Sequence, residues 1–333
     1  MIIELKKNTD SATIQKMALR LNAFHIRNHD KNLLITSASV KALESDLETH
    51  VENQWVFAND MQLSSRSFLN ETREIKLKEG LSIGGKHNNT LLIGGPCSVE
   101  SEDQIRSASA LLKELDLSVL RGGCYKPRTS PYSFQGLVLE GLQLLSKMRE
   151  EFGHLIISEV RDATHVEAII EHTDIIQIGA KAMYDQGILK ACAKTQKPVM
   201  IKRGFGSTLQ EFTQAAEFIL AGGNSNVILC ERGIRTFETK TRFTLDLCGV
   251  AWLQEHTNLP IILDPSHAMG YAYGVPSLTR ACMAMKVEGL IIETHPNPAL
   301  AKSDASQQLD YDGFRALHNE LQPLAACLGR KLK

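Results

Sequence analysis

The chain has 333 residues, of which 43% are hydrophobic and 23% charged, with a formal net charge of −1. That balance suits a globular protein with a sizeable core and argues against nucleic acid or an anionic membrane as partner. No apolar run reaches membrane-spanning length, MIIELKKNTD is too polar for a secretory signal, and seven scattered cysteines without a CxxC pair read as reduced, cytoplasmic thiols.

In chain order, Ile2 to Leu5 reads as a strand. Asp10 or Ser11 caps a helix carrying Ile14, Met17, Ala18 and Leu21 at helical spacing. Leu33 to Thr36 is a second strand. Ser39 onward reads as a second helix with Val40, Leu43 and Leu47 on one face, and Val51 to Phe57 as a closing strand. The order is close to βαββαβ, a ferredoxin-like pattern. Residues 1–65 are thus expected to form a regulatory or oligomerisation domain. Residues 66–88 should hold a linker and hairpin, the polar stretch Gln62 to Thr72 reading as linker and Ile75–Leu77 with Leu81–Ile83 as the hairpin.

Residues 89–333 have a different rhythm. Apolar strands are expected at Leu91–Gly94, Ser118–Leu120, Leu155–Ser158, Asp174–Ile178, Pro198–Ile201, Asn226–Leu229, Pro260–Leu263 and Gly289–Ile292, each followed by a helix-like segment. Near-continuous apolar strands mean a parallel sheet buried on both faces, and eight such units close into a (β/α)8 TIM barrel. The fold class is therefore α/β: a TIM barrel with a small N-terminal ferredoxin-like α+β domain.

The residues after each strand are polar throughout, and in a barrel they share the C-terminal rim where active sites are built. Arg121, Lys126, Arg128, Lys202, Arg203, Arg232 and Arg235 supply more positive charge than one phosphate needs. Two phosphorylated or carboxylated substrates are implied. A second set is Cys97, His267, Glu293 and Asp304. Singly, Cys97 reads as a buried hydrophobe and His267 as a hydrogen-bonded rim residue. Together, a thiolate, an imidazole and two carboxylates suit a divalent transition metal.

Six motifs carry a resemblance. GGPCSVES (94–101), LRGGCYKPRTSPYSFQG (120–136), KRGF (202–205), LCERGIRTFE (229–238), LDPSHAMG (263–270), and ETHP (293–296) with SD at 303–304 resemble type I DAHP synthases, in the subfamily with an N-terminal ferredoxin-like regulatory domain. The resemblance implies condensation of phosphoenolpyruvate with erythrose 4-phosphate, the first step of the shikimate pathway. It implies Cys97, His267, Glu293 and Asp304 as ligands of Mn²⁺, Fe²⁺, Co²⁺ or Zn²⁺. It places Arg121, Lys126, Lys202 and Arg232 around phosphoenolpyruvate, and Arg128 with Thr129 and Ser130 on the aldose phosphate. Lys126 is the implied proton donor to the new alkoxide, His267 also serves catalysis, and Glu159 or metal-bound water handles the attacking water. An aromatic amino acid effector and a homodimer or homotetramer are also implied. One departure stands out: where the family reads close to GARNMQN, this chain has GAKAMYDQ (179–186), so Lys181 replaces a phosphate-gripping arginine. Two alternatives stay open: a related synthase with another aldose acceptor, and a non-catalytic paralogue that binds phosphometabolites.

Overall fold

The computed structural model describes residues 1–28, 30–126 and 130–333. The N-terminal unit runs β1 (Ile2–Leu5), α1 (Ser11–Arg20), β2 (Phe24–Asn28), β3 (Lys31–Ile35), α2 (Ser45–Glu48) and β4 (Val51–Trp55). Its antiparallel sheet has the order β2-β3-β1-β4, the ferredoxin-like arrangement. Asp10 caps α1 by accepting from the Thr13 N–H at 3.0 Å. Neighbouring residues of β1 face opposite ways, as strand geometry requires. Ile3 and Leu5 join Ile14, Met17, Leu34 and Leu47 in a small core, whereas Ile2 packs with Leu33, Ile35 and Phe57 into the main core of the molecule.

Two expectations are corrected here. Strand β2 was not expected: Phe24-His25-Ile26-Arg27 does alternate apolar and polar residues, but the run is short and forms an edge strand with Phe24 exposed. The helix expected from Ser39 is a single turn, Ser45–Glu48. Ahead of it the Ser37 hydroxyl accepts the Ser39 N–H at 3.2 Å, Asp60 accepts the Ala38 N–H at 2.7 Å, and Lys41 reaches the Phe57 carbonyl. These bonds compete with the helical ladder.

The segment after β4 is polar but firmly attached. The Glu217 carboxylate accepts from the backbone N–H groups of Gln62, Leu63 and Ser64 and from the Ser64 hydroxyl, at 2.6 to 3.1 Å. Asn258 donates to the carbonyls of Leu63 and Ser65. A hairpin of β5 (Glu74–Lys78) and β6 (Leu81–Gly84) follows.

Eight strand–helix units then close the barrel. They run β7 (Asn89–Gly95), α3 (Glu102–Glu114), β8 (Val119–Arg121), α4 (Val138–Phe152), β9 (Leu155–Val160), α5 (Val166–His172), β10 (Ile175–Ile178), α6 (Gln186–Ala193), β11 (Val199–Lys202), α7 (Leu209–Ala221), β12 (Val227–Glu231), α8 (Leu247–His256), β13 (Ile261–Leu263), α9 (Pro265–Met269), α10 (Val275–Ala284), β14 (Gly289–Glu293) and α11 (Tyr311–Cys327). β14 pairs in parallel with β7, which closes the ring, and β15 (Lys331–Leu332) adds to β7. All eight expected barrel strands are present, with ends shifted by a residue or two. The hairpin residues Ile75, Leu81 and Ile83 pack with Leu91, Ile93, Ile157, Met200, Ile262 and Ile291 inside the barrel and plug its floor.

Candidate active site

Strand periodicity lifts the polar groups to one level. Val119, Ile157, Ile175, Met200, Cys230, Ile262 and Ile291 belong to the interior cluster. Two residues further along each strand, hence on the same face, stand Arg121, Glu159, Gln177, Lys202, Arg232, Asp264 and Glu293. The eighth strand places Gly95 at this level with φ 136°, where a Cβ would lie 2.1 Å from the Arg121 carbonyl oxygen, so only glycine fits.

Cys97, Glu293 and Asp304 each offer a donor atom within 4.8 Å of the other two. His267 joins them: its Nε2 lies 3.5 Å from Glu293 Oε1 and 3.8 Å from Asp304 Oδ2. Its Nδ1 lies 2.8 Å from Asp264 Oδ2. Asp264 also caps α9, accepting the His267 N–H at 3.0 Å, and meets Lys202 Nζ at 2.5 Å. Burial pulls the His267 pKa below its ordinary value, which favours the neutral ring with a lone pair to give. Burial and the Glu293 charge push the Cys97 thiol up to about 11. Asp304 sits at φ 46°, a left-handed conformation that Asp tolerates better than most residues.

Lys126 Nζ donates to the Cys97 carbonyl at 3.0 Å and lies 3.0 Å from its Sγ. Burial works against its charge, yet Cys97 and Glu159 outweigh that and hold its pKa above the usual lysine value. Arg121 meets Glu293 Oε1 at 2.5 Å and the Pro96 carbonyl at 2.8 Å, and its buried Nε has no partner among the described residues.

Beside the cluster opens a cleft of about 270 Å³ that brings together Lys126, Glu159, Lys181, Lys202, Arg232 and His267. Two stacked rings organise its arginines. Phe205 and Phe243 lie 5.5 Å apart, Arg232 stands 4.2 Å over Phe243, and Arg235 stands 4.8 Å over Phe205. A buried guanidinium nitrogen of Arg232 lacks a partner among the described residues, as expected of a group waiting for an anion. Lys181 is exposed at the cleft edge. The Asp185 charge of the same loop is spent locally: it caps α6, accepting the Ile188 N–H at 3.0 Å.

Some expectations fall elsewhere. Arg203 is not a cleft cation; it is buried in ion pairs with Glu231 at 2.8 Å and Asp246 at 2.9 Å. Among the described residues, Ser130 accepts from the Tyr132 and Ser133 N–H groups and from the Gln135 amide, all in its own loop. Arg128 and Thr129 lie outside the described residues. Asp264 was expected only as a polar residue at the end of its strand, and Arg242, Gln307 and Gln308 were not expected at the site. Asp264 had a signal, since Asp-Pro-x-His is a helix-cap spacing; the other three had none.

A closed parallel barrel whose rim sets a thiol, an imidazole and two carboxylates beside a cation-lined cleft defines an enzyme of small anionic, phosphorylated substrates. The chain belongs to the DAHP synthetase I family, whose model matches residues 72–327. It is 37% identical over its full length, and the full length of the relative, to a phospho-2-dehydro-3-deoxyheptonate aldolase of Thermotoga maritima. The crystal structure of DAHP synthase from Thermotoga maritima superposes with a TM-score of 0.80 at 35% identity, covering 100% of this chain and 98% of that one. A truncated form of the Thermotoga maritima synthase superposes with a TM-score of 0.75 at 39% identity, covering 81% of this chain and 98% of its own. The chain is accordingly a synthase that condenses phosphoenolpyruvate with erythrose 4-phosphate to DAHP and phosphate, in aromatic amino acid biosynthesis.

Proposed function

We propose that this condensation is metal-dependent, with Cys97, His267, Glu293 and Asp304 holding the ion and the adjoining cleft holding phosphoenolpyruvate. The carrying observation is the convergence of the four donors on one spot of the rim. Burial, then the Glu293 and Asp304 charges, resist ionisation of the Cys97 thiol. A divalent cation among them reverses that resistance. The residues therefore fit a metal, and the thiolate and imidazole favour Mn²⁺, Fe²⁺, Co²⁺ or Zn²⁺ over Mg²⁺ or Ca²⁺. When bound, the ion supplies Lewis-acid polarisation of the aldehyde oxygen.

The protein groups do the rest. Arg121, Lys181, Lys202 and Arg232 bind and orient phosphoenolpyruvate and stabilise the departing phosphate. Arg128, Thr129 and Ser130 take the aldose phosphate. C3 of phosphoenolpyruvate forms a bond to the aldehyde carbon, and Lys126, held protonated, gives its proton to the new alkoxide. Water adds at C2, Glu159 takes a proton from it, and phosphate leaves with C–O cleavage. Gln177 donates to Glu159 Oε2 at 2.7 Å and keeps that carboxylate aimed into the cleft.

Residues 1–65 are proposed as a separate regulatory domain answering to an aromatic amino acid, residues 66–88 as linker and hairpin, and 89–333 as the catalytic barrel. A homodimer or homotetramer is proposed as the working assembly. The free state of all seven cysteines supports a reducing, cytoplasmic setting, and no described helix is long and apolar enough to cross a membrane.

The metal reading is tested by turnover in EDTA. Activity should vanish, return with Mn²⁺, Co²⁺ or Fe²⁺, and be absent from His267→Ala under all conditions. Full activity in chelator would overturn it.

A further inference from the structure

Gln307 and Gln308 are consecutive, and each is only 1% exposed. A buried primary amide is costly unless its donors and acceptor find partners. Here both amides find theirs around the four-donor cluster. Gln307 Nε2 donates to Glu293 Oε2 at 2.6 Å, and its Oε1 accepts from Arg242 Nη1 at 2.6 Å. The same Arg242 nitrogen lies 3.3 Å from Asp304 Oδ1. Gln308 reaches the other way. Its Oε1 accepts the backbone N–H of Cys97 at 3.0 Å, and its Nε2 donates to the carbonyl of Ser303, next to Asp304, at 2.9 Å.

One pair of side chains therefore ties together the segments that carry three of the four donors. Neither amide lines the cleft, and neither can ionise. Terminal torsions of Glu are broad, so a carboxylate is aimed only if both oxygens are held. Gln307 holds Oε2 of Glu293, and Oε1 is thereby presented toward His267 and Arg121.

We propose that Gln307 and Gln308 are positioning residues of the metal centre: Gln307 sets the carboxylate plane of Glu293, and Gln308 sets the spacing between Cys97 and Asp304. This rests on the metal reading given above. A merely structural role for these amides makes a different prediction, namely lost stability with unchanged metal affinity in the folded protein.

The test is Co²⁺ titration of metal-free wild type, Gln307→Met, Gln307→Asn and His267→Ala. It is followed by the thiolate-to-cobalt absorption band and by chelator competition, with thermal melting alongside. Wild type should bind with a thiolate band. Both Gln307 variants should bind about 10- to 100-fold more weakly, the usual effect of losing an outer partner of a metal ligand, with an altered band and a melting temperature within a few degrees of wild type. The Asn variant keeps the amide but is one methylene short, and it carries the test should the Met variant not fold. Co²⁺ affinity and spectrum equal to wild type in the Gln307 variants would overturn the assignment alone. Wild type that binds Co²⁺ no better than His267→Ala, or without a thiolate band, would overturn the metal reading and the assignment with it.

Discussion

At the scale of single residues, the question is how a lysine, rather than an arginine, serves at the mouth of an anion-binding cleft. A guanidinium grips phosphate with two parallel bonds, whereas an ammonium is a point charge on a flexible stem. Lys181 is exposed at the cleft edge, while Lys202 and Arg232 beneath it are buried and held by Asp264 and Phe243. The buried cations are thus the pre-set ones, and Lys181 is proposed as a further anion contact at the mouth. Lys181→Ala should weaken phosphoenolpyruvate binding by about 1–2 kcal/mol, roughly 5- to 30-fold. Lys181→Arg should match or exceed wild type, because Asp185 faces α6 rather than the cleft. Calorimetric titration of the three proteins checks this; equal affinities would remove Lys181 from the site. The cleft cations, Cys97, His267 and Glu293 were legible in the sequence because each ends a strand or soon follows one, and strand ends converge in a barrel; Asp304, on the long loop after β14, was legible only through the motif resemblance. Arg242, Gln307 and Gln308 were not. They sit on long loops, where no periodicity says which way a side chain turns, and an amide or arginine in a loop is ordinarily solvated.

At the scale of elements, the barrel works because polar rim and apolar interior alternate by two residues along each strand. The interior needs a floor, and the β5–β6 hairpin provides it. The hairpin was legible from its short apolar runs, but its place inside the barrel was not, since nothing local distinguishes a plug from a surface flap. Ile75 is 1% exposed among the interior side chains. Ile75→Ala should cost about 2–5 kcal/mol of unfolding free energy, through lost transfer and a residual cavity. Michaelis constants for both substrates should stay unchanged, because the polar layer at the rim lies at the opposite end of the strands. Denaturant unfolding and steady-state kinetics separate the two effects. A change in substrate affinity at full stability would show that floor and rim are coupled. The misread helix at 39–44 and the missed strand β2 share a cause: both are edges of a small unit, where side-chain hydrogen bonds and exposure outweigh pattern.

At the scale of the whole molecule, the sheet of the N-terminal unit has two working faces. Ile3 and Leu5 belong to its own core, and Ile2, Leu33, Ile35 and Phe57 to the core it shares with the barrel. Glu217 on α7 fixes the connecting segment through four donors. Two consequences oppose each other when residues 1–65 are removed. The polar level of the barrel and its floor are complete without them, so folding and chemistry should survive. An apolar face of the barrel becomes exposed, so melting temperature and solubility should fall. Magnitude favours survival, because among the described residues the interior cluster under the site contains none before Ile75. The 66–333 protein should therefore condense phosphoenolpyruvate with erythrose 4-phosphate at a rate within about tenfold of the full chain, a tenfold rate change being about 1.4 kcal/mol of barrier. It should have lost any inhibition by tyrosine, phenylalanine or tryptophan that the full chain displays. Initial rates of both proteins across a concentration series of the three amino acids read this directly. Inhibition retained after truncation would place the effector on the barrel. Active but aggregated 66–333 protein, with the full chain insensitive to all three, would make the N-terminal unit an oligomerisation module instead.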